Sequence, residues 1–150
     1  MKAIINFFDN HLTRILRELK EQGISISNES ILRIIEATSF KNRSRKYPEK
    51  CPCYPESHCY ESYGNIENPS CFLCGCPEYR IDLNKRPVTR CNLRKYYQLG
   101  GTGGYYIPYS GSPDGQIWAC EKCPHPYYKE TVEKFLKENL DDLKRRYEEL

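Results

Sequence analysis

Nine cysteines lie between positions 51 and 123 of the chain, with none on either side. Cys71-Phe72-Leu73-Cys74 and Cys120-Glu121-Lys122-Cys123 are C-x-x-C pairs about fifty residues apart. Two thiolates three positions apart on a tight turn can grip one ion, and such pairs are the usual halves of a zinc site. Gly75 follows the first pair, where it would let the backbone take a positive φ and turn its N–H groups toward sulfur. Pro124-His125 follows the second, adding an imidazole of the kind zinc accepts beside thiolate.

The remaining cysteines are less regular. Cys51-Pro52-Cys53 and His58-Cys59 place three thiols and an imidazole within nine residues. Cys76-Pro77 follows the first knuckle at once, and Cys91 stands alone in sequence. The candidate ligands are therefore Cys51, Cys53, Cys59, Cys71, Cys74, Cys76, Cys91, Cys120, Cys123 and His125, with His58 a further possibility. One closed site can be drawn from Cys71, Cys74, Cys120 and Cys123. A second can be drawn from Cys76, Cys91, His125 and thiols of the 51–59 run. Spacing does not dictate this division, so one or two zinc ions are expected. An iron–sulfur cluster is the alternative, because Cys71, Cys74 and Cys76-Pro77 resemble a cluster loop.

Composition favours metal over disulfides. An odd number of cysteines leaves a thiol unpaired in any all-disulfide scheme. No secretory leader and no apolar run of spanning length is evident, so the expected compartment is the cytoplasm, with no membrane partner. Thiols there favour ligation. The Lys-, Glu-, Ile- and Tyr-rich composition is thermophile-like, and hyperthermophile cytosol is the known exception.

The elements that must position the cysteines lie outside them. Ile4, Ile5, Phe8, Leu12, Ile15, Leu16 and Leu19 recur at helical spacing over 3–22, and Gly23 is a suitable stop. Ser27 or Asn28 can cap a second helix through Thr38 with Ile31, Ile34 and Ile35 on one face. Val132, Phe135, Leu136, Leu140, Leu143, Tyr147 and Leu150 predict one long helix over 127–150, its other face carrying Glu130–Lys134 and Glu133–Lys137 pairs. His11 reads as a surface or packing residue. Residues 1–39, 40–126 and 127–150 thus divide into a helical segment, a cysteine-rich metal-binding region and a terminal helix forming one unit. The fold class expected is small, irregular, α-rich and metal-stabilised. Its Cys-rich loops carry short hairpins and pack between two N-terminal helices and one long C-terminal helix. The Gly/Tyr stretch of 100–115 reads as a hairpin or loop insertion.

Net charge is +3, and its distribution matters more than its size. Residues 41–95 carry eleven basic and six acidic groups, beside the cysteines. Lys41, Arg43, Arg45, Lys46, Lys50, Arg80, Lys85, Arg86, Arg90, Arg94 and Lys95 are interleaved with Tyr47, Tyr54, Tyr96 and Tyr97. Cations that grip phosphate beside rings that stack bases suit nucleic acid, through 41–50 and 80–95. A solvated surface is the plainer account of the same residues. There is no Ser-His-Asp set and no paired acid/base carboxylates. The glycines at 100–104 lack the helix signature and lysine of a phosphate loop. The reading leans away from an enzyme.

At these motifs the chain resembles the cysteine-rich small domain, a zinc-finger-like family of archaea and bacteria. The resemblance runs over roughly 40–130 and rests on Asn68-Pro69-Ser70-Cys71-Phe72-Leu73-Cys74-Gly75-Cys76-Pro77-Glu78-Tyr79 and Trp118-Ala119-Cys120-Glu121-Lys122-Cys123-Pro124-His125. Phe40-Lys41-Asn42 looks like the family's opening. The run Cys51 to Cys59 departs from the family's typical opening, and the 100–115 loop is longer. The resemblance implies metal binding. Some members are joined to a corrinoid-salvage amidohydrolase, which implies a link to cobamide metabolism by company alone. The expected function is a structural-zinc module for a macromolecular partner. The alternatives are an RNA- or DNA-binding zinc protein and an iron–sulfur or thiol redox protein.

Overall fold

The computed structural model describes residues 1–54, 66–93, 103–120 and 123–150. Helix α1 spans Lys2–Glu21. It ends as its sequence predicts, with Gly23 at φ 67°. Ile24 N–H bonds to Leu19 O at 2.9 Å and Gly23 N–H to Lys20 O at 3.0 Å, which satisfies the last carbonyls. A 3-10 turn at Asn28–Ser30 leads into α2, Ile31–Ala37. Ser27 makes no side-chain cap bond to a backbone N–H; its hydroxyl meets Ser30 Oγ at 2.8 Å, and its carbonyl accepts from Ser30 N–H at 3.1 Å.

Helix α3, Phe40–Lys46, is an addition to the two N-terminal helices expected. Ser39 caps it by accepting from Asn42 N–H. Its one buried residue is Arg43, so no apolar period announces it. The long terminal helix is also two helices, α4 over Lys129–Glu138 and α5 over Leu140–Glu148. The break is at Asn139, whose backbone (φ −120°, ψ 17°) leaves the helical basin. Its side-chain amide and its N–H both bond to Phe135 O, at 2.9 and 3.0 Å. An Asn that competes for local carbonyls in this way ends helices rather than continuing them.

The helices share one apolar core. Ile15, Leu16 and Leu19 of α1 meet Ile31, Ile34 and Ile35 of α2, Val132 and Leu136 of α4, and Leu143 of α5. Helix α1 packs on α5, and α2 on α4. Phe72 and Leu73, from the first knuckle, are buried in the same cluster. The terminal stripe thus covers the N-terminal one, as its periodicity predicts. On the outer face Lys137 pairs with Glu133 at 2.9 Å, and Lys134 with Glu138 at 3.8 Å.

Two short antiparallel hairpins occupy the cysteine-rich region. Strand β1, Tyr79–Ile81, pairs with β2, Thr89–Cys91, in the register Tyr79 opposite Cys91. Strand β3, Tyr105–Pro108, pairs with β4, Gln116–Ala119, with Tyr106 opposite Trp118. The sheets are tied by Trp118 N–H to Thr89 Oγ1 at 2.7 Å and Tyr106 OH to Thr89 O at 2.9 Å. Asp114, in the β3–β4 turn, accepts from Val88 N–H at 3.0 Å. These bonds, with Ser112 adding another, hold its carboxyl below the usual carboxylate range. The insertion of 100–115 is thus a hairpin over its described part. Gly104 has a steric reason: a Cβ there would lie 2.4 Å from the Trp118 ring.

Candidate metal centre

The first knuckle is fastened from three directions. Cys71 N–H bonds to Thr38 O at 2.8 Å, at the end of α2. His11 Nε2 on α1 meets Cys71 O at 2.9 Å. Ser70 N–H reaches Tyr127 O at 3.0 Å, just before α4. His11 is buried and spent on this contact, and burial lowers its pKa.

Gly75 corrects an expectation. Its φ is not among the positive ones, which among the described residues are those of Gly23, Gly103 and Gly115. The reason for glycine is packing. A Cβ would meet Phe8 Cδ1 of α1 at 3.1 Å.

Around this knuckle lies a first set of thiols. Burial raises the Cys71 pKa, and Cys51 adds to the rise. Burial pushes Cys74 up to about 11, reinforced by Cys71 and Cys51. Cys51 is raised by burial too, and its thiol interacts with that of Cys53. Cys51, Cys53, Cys71 and Cys74 therefore form one neighbourhood, each half-buried.

A buried polar chain runs into this set. Glu18 of α1 accepts from Arg43 Nε and Nη2 of α3, both at 2.8 Å, with side chains 8% and 5% exposed. Burial opposes the guanidinium charge, but Glu18 holds its pKa above the ordinary value. Arg43 Nη1 donates to the Tyr54 hydroxyl. Tyr54 donates in turn to Cys71 Sγ at 3.3 Å. Burial, then Cys71, raise the phenol's pKa. The Tyr54 ring stands edge-on to Phe40 at 5.6 Å.

The second set is built by the hairpins. Register places Cys91 opposite Tyr79, and Tyr79 N–H bonds to Cys76 O at 3.1 Å. Asn92 N–H to Glu78 O, 2.7 Å, closes the same end. Cys120 and Cys123 are joined by Cys123 N–H to Cys120 O at 2.9 Å. Burial pushes Cys76 up to about 11, with Cys123 and Cys91 adding to it. Tyr79 is pushed up to about 12 by burial, and Cys120 contributes. Cys74, Cys76, Cys91, Cys120, Cys123 and His125 line a cavity of about 270 Å³. Its walls are apolar and aromatic, including Ile4, Phe8, Trp118 and Tyr127. Tyr79 is set by its stack on Phe8 at 5.1 Å and its bond to Trp118 O at 2.7 Å.

Cys71 and Cys74 have Cys51 as a neighbour, and Cys74 also lines the cavity with Cys76, Cys91, Cys120 and Cys123. Cys59 and His58 lie outside the described residues. Among the described residues, no three His, Cys, Asp or Glu side chains stand in a group ready to hold an ion. The donors are gathered but not closed.

Of the candidate nucleic-acid residues, Lys41, Arg45, Lys46 and Lys50 are exposed on or just after α3. Arg43 and Tyr54 are buried in the chain just described. Arg80 donates to the carbonyls of Pro77 and Tyr79, and Arg86 to those of Leu83 and Lys85. Arg94, Lys95, Tyr96 and Tyr97 lie outside the described residues. Sequence reasoning missed Glu18, which no motif marks, and the cover that Ile4 and Phe8 give the second set. No helix among the described residues is long and apolar enough to cross a membrane.

The chain matches no protein-family model, no curated protein and no solved structure. The likeness to the cysteine-rich small domain is carried by the quoted motifs alone.

Proposed function

We propose that this chain is a metal-binding protein with two thiolate centres, each a structural zinc site, that serves as a module for a macromolecular partner. The observation that carries the reading is the gathering of cysteines from distant segments into two neighbourhoods of four. Cys51 neighbours Cys71 and Cys74, and Cys76, Cys91, Cys120 and Cys123 line one cavity. A metal across either set closes long loops that the thin local core leaves costly to order.

The donor chemistry fits zinc. Four thiolates at a Zn–S distance of about 2.3 Å make a closed tetrahedral site. The donors must move closer to close a site, since no three of the described ones yet stand in a group that could hold an ion. Binding must also displace the protons that burial now keeps on Cys74 and Cys76. A closed four-thiolate site leaves no coordination position for a substrate, which favours a module over an enzyme. When bound, zinc supplies cross-links and no redox chemistry.

An iron–sulfur cluster in the second set is the other reading. The cavity of about 270 Å³ behind Cys76, Cys91, Cys120 and Cys123 favours it, with apolar walls that would keep water from a cluster.

Cysteine substitution tests the two-centre division. Cys71→Ser and Cys91→Ser should each lower the bound metal from two equivalents to one, and the double variant should bind none. If Cys71→Ser removed both ions while Cys91→Ser removed neither, the division would be wrong.

A further inference from the structure

We propose that Tyr54, held by the Arg43–Glu18 pair, is the outer hydrogen-bond donor to a metal-bound sulfur of Cys71, and so a positioning residue of the first centre. This rests on the reading of that set as a metal site and goes beyond it. The argument is one of donor direction. Arginine has only N–H donors. Its Nε and Nη2 are both committed to the two oxygens of Glu18, which fixes the plane of the guanidinium. Nη1 then faces the Tyr54 oxygen, which accepts. The phenol proton is directed onward to Cys71 Sγ, 3.3 Å away.

The chain of donors therefore ends on sulfur as an acceptor. A thiol sulfur is a weak acceptor, whereas a metal-bound thiolate carries negative charge and is a good one. The cost of burying Arg43, Glu18 and Tyr54 at 5–7% exposure has a purpose if they orient and stabilise that thiolate. Outer partners of metal ligands commonly change affinity by about 10–100-fold when removed. Beside the second set, Tyr79 donates to a backbone carbonyl. The two centres should thus differ in their response to one hydroxyl.

The test uses the full chain, loaded with Co²⁺ and then competed with Zn²⁺ against a chromophoric chelator. Tyr54→Phe should still bind two ions. One should bind about 10–100-fold more weakly, with a shifted sulfur-to-cobalt charge-transfer band, and the other should be unchanged. Glu18→Gln keeps the hydroxyl but loosens Arg43, and should weaken the same ion to a smaller extent. It serves as the deciding variant should Tyr54→Phe fail to fold. Wild-type affinity at both centres, or equal weakening of both, would reduce Tyr54 to a packing residue and overturn the proposal. A wild-type chain that bound no Co²⁺ would overturn the metal reading itself.

Discussion

Replacing Arg43 with methionine should lower the free energy of unfolding by about 3–5 kcal/mol, the usual cost of removing one partner from a buried ion pair. Glu18 would be left charged at 6% exposure with its main donors gone. Tyr54 would lose the donor that orients its hydroxyl. Losing both charges should hurt far less than losing one. A Glu18→Met/Arg43→Met double variant should recover most of the loss, because apolar replacement of an entire buried pair is often near neutral. Urea unfolding with the metal state held fixed measures both. A loss under about 1 kcal/mol for Arg43→Met would mean that the pair behaves as an exposed one.

Withdrawal of metal should have the larger effect, and it should be uneven across the molecule. A structural zinc site is worth about 10–16 kcal/mol in apparent binding free energy. Whole domains are stable by only about 5–15 kcal/mol. The hairpin region therefore should not hold its packing without metal, since among the described residues its buried apolar side chains are few: Val88 and Trp118 beside the knuckle's Phe72 and Leu73. The helical core of Ile15, Leu16, Leu19, Ile34, Leu136 and Leu143 is contiguous and contains no cysteine. A strong chelator should abolish the near-UV signal of Trp118 and Tyr79 while most far-UV helical signal survives. Full near-UV intensity after complete chelation would sink the structural role.

How far the fold was legible follows from what each element buries. Helix α1 and its stop were readable because an apolar period and a positive-φ glycine are local signals. The terminal stripe was readable for the same reason, but its break was not. Asn139 ends α4 through hydrogen bonds to Phe135, and periodicity is blind to these. Helix α3 escaped because the face it buries is Arg43, a charge whose partner Glu18 lies 25 residues away. The candidate ligands were legible as types and not as sets. Cys91 stood alone in sequence and is brought to Cys76 by a three-residue strand pairing. Gly75 was read for its backbone freedom, yet it serves the close approach of Phe8. Apart from the local bonds of Asn139, the missing information was a long-range contact, which neither spacing nor composition carries.

The most direct measurement is the metal content and absorption spectrum of the wild-type chain purified without oxygen. Two structural zinc centres predict a colourless protein with close to two equivalents of zinc. A brown protein whose absorption arises from sulfur-to-iron charge transfer would move the second set to the cluster reading. A protein with neither metal, folded and unaffected by chelator, would contradict metal binding by these cysteines.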